Sequence, residues 1–119
     1  MVMADNIEGI YAAYMTGKEG AGFAMFIFVR GRLIGVDPMG VNFEGTYQPV
    51  LDGGHIGKVS VNVPPGGTTV QGVSSGESGI SYEVEVTIPP DFLRRQFISI
   101  STPLGPVNVS LKKVRDVDF

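Results

Sequence analysis

The chain has 119 residues, 43% of them apolar and 18% charged, with a net charge of −3 and no cysteine. That length suits one domain spanning 1–119 around a single core, and the composition is too apolar for a disordered chain. The missing cysteine excludes disulfides, thiolate nucleophiles and zinc–thiolate sites, and the near-balanced charge supplies no basic face for nucleic acid.

The first residues carry no basic region ahead of an apolar stretch, so no signal peptide is expected. The longest apolar run, 23–29, falls far short of the ~20 residues a membrane helix needs. A cytoplasmic protein that does not enter a membrane is the expectation, and a cysteine-free chain suits that reducing compartment.

The dominant signal is apolar–polar alternation at period two, the mark of half-buried strands. A first strand is expected over 7–15, with Tyr11 and Tyr14 on opposite faces. The next, 23–29, is apolar on both faces, so it either lies centrally or has its outer side covered. Arg30-Gly31-Arg32 reads as a tight hairpin into a short strand over 32–36. Asp37-Pro38-Met39-Gly40 is a turn, with Asp37 as turn former, and alternation resumes over 43–48. Asp52-Gly53-Gly54 leads into a strand containing Val59, Val61 and Val63.

Pro64-Pro65-Gly66-Gly67 ends that strand. A short strand over 68–73 and a mobile serine- and glycine-rich loop over 74–79 are expected after it. Residues 80–88 give the cleanest alternation, with every even position apolar. Residues 89–95 place proline in the first turn, an acid beside it and arginines at the end, an order that suits one or two turns of helix. Phe92 and Leu93 would then plug one end of the sheet. Residues 97–101 put Ile98 and Ile100 on one face, and 107–111 alternate again after the turn at 102–106.

Eight or nine strands joined by short turns leave two architectures, a sandwich or a closed barrel. A small up-and-down antiparallel barrel of about eight strands is preferred, because joining the first strand to the last removes the exposed edges. Mid-strand glycines at 9, 22, 35, 45 and 57 suit the bends of a small barrel.

Gly9-Ile-Tyr11, Gly20-Ala-Gly22-Phe23, Gly31-Arg-Leu-Ile-Gly35-Val-Asp37 and Gly45-Thr-Tyr47 together resemble the GrlR-like family, named for a negative regulator of type III secretion. The resemblance covers roughly residues 7–50. It implies a lipocalin-like β-barrel with a short helix, and a non-enzymatic regulatory role exercised by binding a partner protein, with a homodimer as a further expectation.

Chemistry-bearing motifs read more simply as structure. Gly72-Val-Ser74-Ser-Gly76 matches a nucleophile elbow in letters, but it opens a loop, and the lone histidine, His55, lies upstream of it. Gly53-Gly-His-Ile-Gly57-Lys58-Val59 is one residue short of a phosphate loop and has no hydroxyl after its lysine. His55 has no metal-ligating companion at a suitable spacing. Glu83 and Glu85 alternate with valines and should face water. Lys112, Lys113 and Arg115 are followed by Asp116 and Asp118, so no nucleic-acid patch is read there. No catalytic residue, metal site or cofactor is expected.

Two binding surfaces follow. Ala24, Phe26 and Phe28 are expected to face outward as the patch for a partner or a second copy. Tyr11, Phe23, Phe43, Tyr47 and Tyr82 are expected to point inward, where they either fill the core or line a site for a small apolar ligand.

Overall fold

The computed structural model describes residues 7–117. Eight strands follow one another: β1 (Gly9–Thr16), β2 (Ala21–Val29), β3 (Arg32–Val36), β4 (Asn42–Pro49), β5 (His55–Val63), β6 (Ile80–Ile88), β7 (Ile98–Ile100) and β8 (Val107–Arg115). All pair antiparallel, in the order β6-β5-β4-β3-β2-β1-β8-β7. The sheet curls into a nearly closed barrel.

The first and last strands do pair, β1 lying between β2 and β8. The edges are nevertheless not abolished. They move to β6 and β7, which approach each other across a seam without a ladder. The reason is length: β7 has three residues against nine in β6, too few to zip the cylinder shut.

The hairpin between β2 and β3 forms as its residues require. Arg30 sits at φ 50° and Gly31 at φ 78°, the pair of positive angles that matches the twist of two-residue hairpins. Three other expectations are corrected. The helix near 90–95 is a single 3₁₀ turn, Phe92–Arg94, and Arg95 already returns to extended backbone. One turn without an amphipathic stripe gains too little to propagate. The strand over 68–73 is absent; only Thr68 and Ser74 form a bridge. The loop over 74–79 is pinned rather than loose, through the buried Ser75.

The largest correction concerns β2. Cross-strand partners share a face, and Tyr11, fully buried in the core, pairs with Phe26; Ala13 pairs with Ala24 and Gly9 with Phe28. Ala24, Phe26 and Phe28 therefore point inward, Ala24 at 0% and Phe28 at 3% exposure. Phe23 faces outward instead, 37% exposed, and stacks against Tyr14 with ring centroids 5.5 Å apart. A strand apolar on both sides gives periodicity nothing to choose between; the register with β1 makes the choice.

Gly35 lets β3 come this close to β2. A Cβ there would run into the Phe26 ring and approach the Met25 carbonyl at 3.2 Å. Replacing Gly35 with valine should therefore cost about 1–3 kcal/mol through overpacking. Urea unfolding checks this, as a lower midpoint at unchanged slope.

Candidate functional site

The two ends of the barrel are built differently. At the end where β1 begins, an aromatic chain fills the interior. Phe92 lies 5.9 Å from Tyr11, Tyr11 lies 5.3 Å edge-on to Phe28, Phe28 lies 5.4 Å from Tyr47, and Tyr47 lies 5.7 Å from the His55 ring. The Tyr11 hydroxyl donates to the Ile7 carbonyl at 2.7 Å, which satisfies a polar group deep in the core. The 3₁₀ turn thus supplies the plug expected of its segment, with Phe92 as the buried residue.

Above that plug the barrel is hollow. A cavity of about 350 Å³ opens between the strands, lined by apolar side chains that include Phe26, Phe43, Val61, Val84, Val109 and Leu111. The Phe26 and Phe43 rings meet at 4.9 Å on one wall. The valines arrive from the alternating faces of β5, β6 and β8, one inward residue in every two.

The long connection between β5 and β6 crosses the open end. Ser75 holds its base: the Ser75 hydroxyl donates to the Pro64 carbonyl at 2.7 Å and accepts from the Gly67 amide at 2.7 Å. Its far tip reaches the opposite wall. The Glu19 amide donates to the Val70 carbonyl at 3.1 Å, and Val70 packs onto the cluster formed by Ala13, Val107 and Val109. Beside it, the Gln71 amide donates to the Thr102 hydroxyl at 3.1 Å, and Gln71 and Tyr82 both line the cavity. Gln71 so ties the connection between β5 and β6 to the connection between β7 and β8.

The predicted inward set divides. Phe43 and Tyr82 line the cavity. Tyr11 and Tyr47 belong to the filled end, and Phe23 is on the exterior. Phe26 and Phe28, expected outside, line the cavity instead. The valines were legible as the apolar faces of their strands. Val70 and Gln71 carried no signal, because a loop residue's place across a barrel mouth depends on tertiary contacts alone.

The polar chemistry is sparse. Among the described residues lining the cavity there is no lysine, arginine or histidine. The one acid, Asp37, stands among the rim residues and is engaged by its own turn, accepting from the Met39 amide at 2.8 Å and the Val41 amide at 2.9 Å. Burial pushes the Tyr82 phenol up, an effect opposed by the neighbouring Gln71 side chain. Burial also raises Tyr47, whose hydroxyl is shut off from solvent beside the Gly31 backbone without a well-formed hydrogen bond.

Ser74 and His55 are set apart by the fold. His55 begins β5 at the filled end, whereas Ser74 follows the strand's other end. Eight residue steps at the strand rise separate the two ends of β5 by roughly 26 Å. Glu83 and Glu85 lie on the outer face of β6. Among the described residues, no three His, Cys, Asp or Glu side chains cluster to hold a metal ion.

Two measurements follow. Ser75→Ala removes the hydroxyl's bonds to the Pro64 and Gly67 carbonyls and leaves the Gly67 amide without its acceptor, and should cost about 1–3 kcal/mol; faster hydrogen exchange over 64–79 would accompany it. Desolvation lowers the His55 pKa below 6.5, so the unfolded chain binds more protons near pH 6. The His55 contribution to stability is then complete above pH 6.5 and declines as pH falls below it, and an NMR titration of the ring should give a midpoint under 6.5.

No helix among the described residues is long and apolar enough to cross a membrane. No protein-family model, curated protein or solved structure matches this chain, so its chemistry is argued from the cavity itself.

Proposed function

We propose that this protein binds a small, largely apolar molecule inside its barrel. The observation that carries the reading is the cavity of about 350 Å³, which falls within the usual range of ligand sites and has an apolar lining. Protein interiors normally pack to crystal density. A space of that size left unfilled forgoes close-packed contacts that would otherwise stabilise the core. Larger side chains at the same positions would remove the void without changing the strand pattern. An interior kept hollow at one end and tightly filled at the other is therefore consistent with an occupant.

A second reading rests on a different surface. Outside β1, β2 and β3, Tyr14, Phe23, Ile34 and Val36 are exposed side by side. Such a patch favours an interface with a partner protein or a second copy, and it fits the regulatory role implied by the GrlR-like resemblance. The predicted location of that interface moves from the inward Ala24, Phe26 and Phe28 to the opposite face of the same strand. The solution mass tests the homodimer form. A dimer that dissociates on Phe23→Glu with Ile34→Glu would support it, and a wild-type monomer would remove it.

For the leading reading, the neutral fluorophore N-phenyl-1-naphthylamine is the direct probe. Wild-type protein should enhance and blue-shift its emission in a saturable way. Val84→Phe, which extends a ring into the cavity from β6, should weaken that binding tenfold or more while far-UV circular dichroism stays unchanged. No saturable enhancement by the wild type, or undiminished binding by the filled variant, would count decisively against an internal site.

A further inference from the structure

We infer that the occupant of this cavity is uncharged and bears a single hydroxyl, carbonyl or amide group, which Tyr82 and Gln71 receive at the open end. This inference rests on the internal site proposed above and names the class of ligand it takes.

Charge is decided by what the wall lacks. No cationic side chain among the described residues lines the cavity. A carboxylate held there would lose its hydration without gaining a counter-ion, a cost that forces protonation or expulsion. A cation fares little better. The Oδ1 of Asp37 already accepts two backbone amides, and Asp37 belongs to the rim turn rather than to the deep wall.

The hydrogen-bond inventory then locates the polar contact. The Thr102 hydroxyl is saturated: it donates to the Gly105 carbonyl at 2.6 Å and accepts from the Leu104 amide and from Gln71, each at 3.1 Å. It acts as a fixed post that orients Gln71. The Gln71 amide offers two N–H donors and a carbonyl, and its bond to Thr102 uses one N–H only. The Tyr82 hydroxyl lines the same cavity and can both donate and accept. These positions sit where β6, the crossing connection and the seam converge, and the wall towards the filled end is apolar apart from Thr87. A molecule with one neutral polar group on an apolar body matches that layout, polar end at the mouth and apolar end inward.

The experiment is competition against bound N-phenyl-1-naphthylamine at pH 8, with octan-1-ol and octanoate as the two competitors. Octan-1-ol should displace the probe at concentrations at least tenfold below those octanoate needs. In both Tyr82→Phe and Gln71→Leu, the affinity for octan-1-ol relative to the probe should fall threefold or more. Both substitutions keep an apolar side chain of similar size, and circular dichroism confirms folding of each; two independent variants guard against a local rearrangement in one. Octanoate competing as well as the alcohol would overturn the inference, as would an unchanged octan-1-ol ratio in both variants, and either result leaves the internal site standing. Failure of the probe itself to bind would overturn both.

Discussion

The pairing of β1 with β2 on one side and β8 on the other is the constraint on which the rest of this molecule depends. It brings the beginning and end of the chain together and so converts a meander into a cylinder. It also sets the facing of every inward residue nearby. Tyr11 points in, and therefore Phe26 and Phe28 do; Tyr14 points out, and therefore Phe23 does. Because side chains alternate with period two, a slip of one residue would exchange the two sets and expel the aromatic core into water.

From that register comes a barrel with unlike ends. Tyr11, Phe28, Tyr47 and Phe92 crowd into one end, where edge-on and tilted ring contacts leave no room for an occupant. At the other end valines from β5, β6 and β8 make up much of the lining, and their short side chains leave space beside the Phe26 and Phe43 rings. The difference in side-chain length, rather than any irregularity of the backbone, makes one end a plug and the other a cavity. Aromatic residues were an incomplete guide to the site: Phe26, Phe43 and Tyr82 line it, whereas Tyr11 and Tyr47 fill the other end and Phe23 lies outside.

The seam between β6 and β7 gives the barrel a place where its wall is held by side chains instead of a ladder. The connection between β5 and β6 spans the mouth, fastened at its base by Ser75 and at its tip through Val70 and Gln71. Individual hydrogen bonds of this kind contribute only about 0.5–1.5 kcal/mol net, far less than a continuous strand pairing. Opening along this side is accordingly the least costly way to reach the interior, and Gln71 lies both at that opening and on the cavity wall.

The sequence by itself determined the class of structure and most of its elements. Alternation at 80–88 and 107–111, the Arg30-Gly31 hairpin and the Asp37 turn are local patterns whose physics is complete within a few residues. It also determined that the interior is apolar and that cationic side chains are few. Tertiary structure decided the rest. The two-sided apolarity of 23–29 left its facing open until β1 supplied a register. The 3₁₀ turn at Phe92–Arg94 replaced a helix because three residues between a strand end and a buried plug cannot sustain one. Whether inward side chains meet or leave a void depends on the distance across the cylinder, a property of the closed sheet. Gln71 bonds Thr102 and shares the cavity wall with Tyr82 only because segments remote in the chain converge at the mouth, and no local pattern encodes such a meeting.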